Sequence, residues 1–130
     1  MKQENGLMNF EIYDKPESLD YEILDSAMFH ALEFLELKPS LPIQVYFENL
    51  EPCVHGYCDV EDSQIFLNVS SELSQVETVQ TLFHELIHAK QFLEGKIDFD
   101  AWPNTSHSNL PWEIEANEIE QLIWKTYEMV

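Results

Sequence analysis

The periodicity of this 130-residue sequence predicts an α+β domain. Three segments have the apolar spacing of amphipathic helices, and a central stretch alternates apolar and polar residues as half-buried strands do. The chain is 45% hydrophobic and contains 8 Phe, 5 Tyr and 3 Trp, so it can bury a core. We therefore expect one domain, residues 1–130, with an N-terminal helix, a small, mostly antiparallel sheet of about three or four strands, a histidine-bearing helix and a C-terminal helix.

The first predicted elements are a short strand at residues 9–13 and a helix at residues 18–37. Apolar residues recur along this helix at three- and four-residue spacing, and two prolines shortly after it end it. His30 lies on the helix, and we interpret it as a surface or boundary residue without a role in metal binding.

The sheet is predicted in the middle of the chain. Residues 43–48 alternate between apolar and polar side chains. Residues 56–60 and 64–69 flank a plausible turn at 61–63, which predicts a β-hairpin.

A second helix is predicted to begin after Ser74, because Ser74 and Glu77 have the spacing of a capping box. It should run to about Leu93 and end at Gly95. Its core face is predicted to consist of Val76, Val79, Phe83, Leu86 and Ile87. The polar residues Gln80, His84, His88 and Gln91 share the opposite face, which could line a cleft. After a loop at residues 96–109, a last helix begins at Pro111.

The net charge is −19, from 25 acidic and 6 basic side chains. Such a surface repels nucleic acid and anionic membranes, so we expect neither as a direct partner. The chain has no long apolar run and its start does not resemble a signal peptide, which predicts a cytoplasmic location. The acidic surface is consistent with solubility, with a basic protein partner or with imitation of nucleic acid, and charge does not choose among them. Cys53 and Cys58 are expected to be reduced thiols.

The sequence His84-Glu85-Leu86-Ile87-His88 has the spacing of a zinc-binding helix. Residues four apart on a helix are neighbours, so His84 and His88 can reach one ion. Glu85 lies about 100° further round the helix, where it can reach a water on the metal. The competing interpretation is that these are ordinary polar residues of an amphipathic helix.

A catalytic zinc site needs a third protein ligand, and the candidates are Glu113, Glu115 and His107. The predicted inner face of the last helix consists of Trp112, Ala116, Ile119, Ile123 and Tyr127. Glu113 and Glu115 lie on opposite edges of that face, so packing alone does not choose between them.

The histidine-bearing helix followed by Glu113-Ile114-Glu115-Ala116-Asn117 resembles the gluzincin metallopeptidases. It is most similar to the small ImmA/IrrE-type branch and related phage-borne peptidases, over roughly the second half of the chain. The resemblance implies that Glu113 is the third ligand and that Asn117 supports the site. It also implies a His or Tyr that stabilises the oxyanion, for which His107 and Tyr57 are the candidates. The strand at 64–69 would then offer its edge to an extended substrate.

The sequence therefore predicts a minimal zincin-like zinc metallopeptidase. Zn²⁺ would be held by His84, His88 and Glu113, and Glu85 would act as general base. The substrate would be a peptide or protein, and a basic one if the acidic charge serves substrate capture. One alternative is a non-enzymatic acidic interaction protein, for example one that imitates nucleic acid. Another is a zincin fold with structural zinc, which a fourth ligand such as His107 would indicate.

Overall fold

The computed structural model describes residues 10–37, 42–52, 54–61, 64–96 and 110–128. These residues form three helices and one four-stranded sheet, which confirms the α+β class. In chain order the elements are β1 (Phe10–Tyr13), α1 (Tyr21–Leu35), β2 (Ile43–Glu48), β3 (Gly56–Glu61), β4 (Gln64–Ser70), α2 (Gln75–Leu93) and α3 (Pro111–Glu128).

The sheet has the strand order β1-β2-β4-β3. β1 and β4 both pair with β2 in parallel, and only β3 pairs antiparallel, with β4. The expectation of a mostly antiparallel sheet is therefore wrong. Helix α1 supplies the crossover that a parallel pair of consecutive strands requires. The predicted hairpin adds to the other side of β2, with β4 as the strand that pairs with β2.

Burial explains which hairpin strand takes the interior position. The inward residues Ile65, Leu67 and Val69 of β4 are fully buried, whereas β3 has no fully buried residue. β4 therefore lies in the interior of the sheet and β3 at its edge. The prediction that the strand at 64–69 offers a free edge is wrong, because β2 and β3 pair with both of its sides.

Local capping fixes the helix ends. The Asp20 side chain accepts a hydrogen bond from the Glu22 backbone at the start of α1, and Glu36 ends that helix with φ 56°, in the left-handed region. The predicted capping box of Ser74 and Glu77 is present at the start of α2. Gly95 follows α2 with φ 73°, as a helix terminator should.

Helices α1 and α2 cover one face of the sheet, and α3 packs against both of them. Phe29 of α1 contacts Phe10 of β1 edge to face, with ring centroids 5.3 Å apart, and α2 packs against β3 and β4. The predicted core face of α2 is confirmed except at Val76, which lies in the first turn and is 52% exposed. No helix in the described ranges is long and apolar enough to cross a membrane.

Gly56 sets the distance between the edge strand and the histidine-bearing helix. A Cβ atom at this position would lie 2.7 Å from the Asn68 carbonyl oxygen and 2.8 Å from Cγ2 of Thr81. Both separations are too short for a carbon atom, so β3 can approach α2 this closely only with glycine here.

We expect Gly56→Ala to destabilise the protein by about 1–3 kcal/mol, because the new methyl group overpacks the contact between β3 and α2. Urea unfolding of the purified protein measures this. Thr81→Ser removes Cγ2 but keeps the hydroxyl that donates to the Glu77 carbonyl. In the Gly56→Ala background it should therefore recover part of the loss. Strict additivity of the two substitutions would contradict this account.

Candidate metal centre

Helices α2 and α3 bring His84, His88 and Glu113 together. Each residue offers one donor atom, and these atoms all lie within 4.8 Å of one another. The two Nε2 atoms are 3.1 Å apart, and one Glu113 carboxylate oxygen faces each ring, at 3.3 Å from His84 and 3.2 Å from His88. The convergence follows from the four-residue spacing on α2 and from the position of Glu113 in the first turn of α3.

These separations match the dimensions of a tetrahedral metal site. Two donor atoms bound about 2.0–2.1 Å from a tetrahedral ion lie about 3.3–3.4 Å apart. The observed separations of 3.1, 3.2 and 3.3 Å are close to that edge length, and the last two are made by different oxygens of the Glu113 carboxylate. Each Nε2 atom thus has the other Nε2 atom and one carboxylate oxygen at about the distance that a shared ion requires.

Hydrogen bonds at the Nδ1 atoms fix the tautomer and the orientation of the two imidazole rings. Nδ1 of His84 lies 2.9 Å from a Glu120 carboxylate oxygen, and Nδ1 of His88 lies 2.6 Å from Oε1 of Gln91. A carboxylate and an amide oxygen can only accept, so each Nδ1 donates. In the neutral ring, Nε2 then holds a lone pair directed at the centre.

A cation is required where these lone pairs meet. Two lone pairs 3.1 Å apart, beside a buried carboxylate, repel one another unless protons or a metal ion stand between them. Burial alone would lower the pKa of His84, but its hydrogen bonds to Glu113 and Glu120 outweigh burial and raise the pKa to about 10. Hydrogen bonds to Glu113 and Gln91 likewise outweigh burial and raise the pKa of His88.

Gln91 ties the site to the start of α3. Its amide nitrogen donates to the Trp112 carbonyl at 2.9 Å and to the Glu115 carboxylate at 2.8 Å, and the Lys96 ammonium contacts the same carboxylate at 3.1 Å. These bonds leave the Gln91 amide oxygen for His88. The hydrogen bonds from Gln91 and Lys96 outweigh partial burial and lower the pKa of Glu115.

The structure therefore distinguishes between the two glutamates that the sequence left as alternative third ligands. Glu113 lies with the histidines, whereas Glu115 lies on the other edge of α3 and contacts Gln91 and Lys96. The third candidate, His107, lies outside the described residues, so within those residues the group has three members.

Glu85 lies beside the group of His84, His88 and Glu113 and lines a cleft of about 430 Å³. It is only 7% exposed, and burial raises the pKa of its carboxyl group, against the lowering effect of the two histidines. The cleft is lined by Val54, His55, Gly56, Glu77, Gln80, Thr81, His84, Glu85 and Glu120. Glu85, His84 and the edge of β3 thus share one opening.

The remaining predicted site residues are placed as follows. Asn117, predicted to support the site, is exposed on α3. The side chains that accept hydrogen bonds from Nδ1 of His84 and of His88 are Glu120 and Gln91. Tyr57 is 48% exposed, and strand alternation directs it to the sheet face opposite the helices, away from the cleft. Cys58 is a free cysteine under α2, where burial raises the pKa of its thiol; Cys53 lies outside the described residues.

Two residues of the site, Glu120 and His55, were missed in the sequence, and Gln91 was placed on the histidine face without a role. Glu120 follows Glu113 by two helical turns, so helical spacing could have found it. His55 reaches the cleft from the segment before β3, and no local pattern indicates this. His30, by contrast, is half-buried, with Nε2 2.8 Å from the Thr126 hydroxyl, as expected of a boundary residue.

Comparisons of this chain with protein-family models, with curated proteins and with solved structures found no match. The interpretation of the site therefore depends on the geometry and chemistry of its own residues.

We expect Glu113→Ala to weaken zinc binding strongly, because it removes one of three donors, and Glu115→Ala to change it much less. Calorimetric titration of chelator-treated protein with Zn²⁺ measures both, and His88→Ala serves as the reference for a lost ligand. The two variants remove the same side chain two residues apart on α3. A greater loss in Glu115→Ala would move the ligand to that position.

We expect Glu120→Gln to reduce zinc affinity by about 10- to 100-fold, because the charged partner that orients His84 is replaced by a neutral one. Glu118→Gln is the matched control, since it removes the same charge from an exposed position on the same helix. Competition with a chromogenic zinc chelator gives both affinities. An equal effect of the two variants would show that only net charge matters.

Proposed function

We propose that this protein is a zinc-dependent metallopeptidase with a minimal zincin-like fold. The observation that supports the proposal most is the convergence of His84, His88 and Glu113 beside a cleft that Glu85 lines. An adventitious cluster of polar residues would not be expected to combine this donor geometry with outward Nδ1 hydrogen bonds and a buried carboxylate at the cleft.

The donor set favours zinc. Two imidazole nitrogens and one carboxylate oxygen are a common ligand set of catalytic zinc sites, which have three protein ligands and an open position. Zinc bound in this way supplies Lewis acidity and lowers the pKa of water to about 7. His84, His88 and Glu113 would hold the ion, while Glu120 and Gln91 orient the two imidazoles.

Glu85 is proposed as the general base and then the general acid. Its carboxylate would accept a proton from the water that attacks the peptide carbonyl, and would deliver that proton to the leaving amine. Burial favours this role, because a raised pKa makes the carboxylate a stronger base than an exposed glutamate. The same burial keeps bulk water from competing for the proton.

The cleft favours an extended peptide as substrate. Edge strand β3 borders it through Gly56, and the edge of β3 away from β4 has no partner strand in the described ranges, so a peptide could pair with it as an added strand. Glu77 and Glu120 also line the cleft and would favour peptides with basic side chains.

His55 is proposed to stabilise the oxyanion, a role for which Tyr57 is poorly placed. His55 lines the cleft together with His84 and Glu85. Its backbone is held in place, because its carbonyl oxygen accepts a hydrogen bond from the Ser70 backbone at 2.8 Å. An imidazole there could donate a hydrogen bond to the developing negative charge.

We expect Glu85→Gln to retain zinc affinity and to lose hydrolysis by a factor on the order of a hundred or more, since it removes the base and leaves the ligands. Cleavage of a fluorescence-quenched peptide library by the zinc-loaded protein measures activity, and zinc titration measures binding. If Glu85→Gln lost zinc as completely as His88→Ala, the assignment of Glu85 as base would be wrong. A wild-type protein that binds zinc and cleaves no member of the library would count against the peptidase itself.

We expect His55→Ala to lower kcat by about a hundredfold with unchanged zinc affinity, because an oxyanion donor acts in the transition state. Steady-state kinetics on a peptide selected from the library separates kcat from KM. Tyr57→Phe, which removes a hydroxyl on the other face of the sheet, should leave both constants unchanged. A rise in KM alone would assign His55 to substrate binding.

A further inference from the structure

The sheet face opposite the helices, which we call the outer face, carries a row of three tyrosines and one asparagine across its four strands. The strand register aligns Tyr13 with Tyr46, Tyr46 with Asn68, and Asn68 with Tyr57. Each is an outward position, next to a buried or half-buried residue of the inward face. Helices α1 and α2 pack on the inward face, and α3 packs against them. In the described chain Tyr13 and Tyr57 are exposed, and Tyr46 and Asn68 are partly exposed.

Hydrogen bonds hold three side chains of this row, Tyr13, Tyr46 and Asn68, in place. Tyr13 and Tyr46 stack with ring centroids 4.9 Å apart and planes inclined by 15°. The Tyr13 hydroxyl donates to Glu11, the Tyr46 hydroxyl donates to Gln44 at 2.6 Å, and the Asn68 amide donates to Glu48. Side chains fixed in this way lose little conformational entropy on binding.

The charge of the outer face has one sign. Glu11, Glu48, Asp59 and Glu61 all lie at outward positions. None of the four strands contains a lysine or arginine, so no cation on the strands neutralises them. Tyrosine rings add to the attraction for a cation, because the faces of their π-systems are negative.

We propose that the outer face is a docking surface for a lysine- or arginine-rich segment of a partner protein. The cations would lie over the tyrosine rings and pair with the carboxylates at either end of the row. A second copy of this chain would bring like charges together, and nucleic acid or an anionic membrane would be repelled. The surface is independent of the metal chemistry, since it lies on the side of the sheet away from the cleft.

The test is to titrate the full chain, labelled with ¹⁵N, with a peptide of about twelve residues that alternates Arg and Gly, at about 0.15 M salt. We expect amide shift changes on β1, β2, β4 and β3, with few on the helices. Asp59→Asn with Glu61→Gln should weaken binding about tenfold. Glu33→Gln with Glu118→Gln changes the net charge equally at exposed helix positions and should weaken it less than twofold.

Tyr57→Thr separates the aromatic contribution from charge, because it leaves every carboxylate in place. We expect it to weaken binding by about two- to fivefold, the range for a cation over one exposed ring. The proposal would be overturned by equal losses in the two double variants, by shift changes centred on the helices, or by no binding at this salt concentration. Far-ultraviolet circular dichroism checks that each variant is folded, and the peptide shift map of the wild-type protein decides the matter even if one is not.

Discussion

The meeting of two imidazole lone pairs with one carboxylate is the interaction on which the rest of this structure depends. Nε2 of His84 and Nε2 of His88 lie 3.1 Å apart in a half-buried place beside Glu113. Such an arrangement is unfavourable without positive charge between the donors. Everything around it maintains the arrangement: the helical spacing on α2, the docking of α3, and the two acceptors that hold Nδ1 of each ring.

The interface of α2 with α3 serves both folding and chemistry. Glu85, His88, Gln91 and Glu113 are all buried, in a protein whose other buried residues are mostly apolar. Buried polar groups require partners of defined geometry, so they specify the register of the two helices more narrowly than apolar contacts do. Trp112, Ala116 and Ile123 supply the apolar part of the contact. The site residues are therefore part of the packed interface between the two helices.

The elements were predictable because their signals are local. A capping box, a helical apolar stripe and strand alternation are each read within a few residues, and α1, α2, α3 and the hairpin follow from them. Strand order was not predictable in this way. Alternation at Ile43, Val45 and Phe47 shows that β2 has an inner face, but it does not say which strands lie beside it or in which direction they run.

The site residues, too, were predictable only where spacing along a single helix indicates them. His84, Glu85 and His88 follow from spacing on one helix, whereas the choice between Glu113 and Glu115 required the rotation of α3 about its axis. Tyr57 shows a different limit. Strand alternation puts Tyr57 and Cys58 on opposite faces of β3, but only the position of α2 shows which face borders the cleft.

The chain order of the site residues has a consequence for folding. β3, β4 and α2 are consecutive, so their contacts close short loops and form at low entropic cost, whereas Glu113 arrives with the last helix. The histidines thus belong to the part that can assemble first, and a bound ion would add its binding free energy to the docking of α3. At a hundred times its Kd, an ion that binds only the folded chain contributes about 2.7 kcal/mol. Metal supply would then control the lifetime of the C-terminal helix against proteolysis as well as the chemistry beside it.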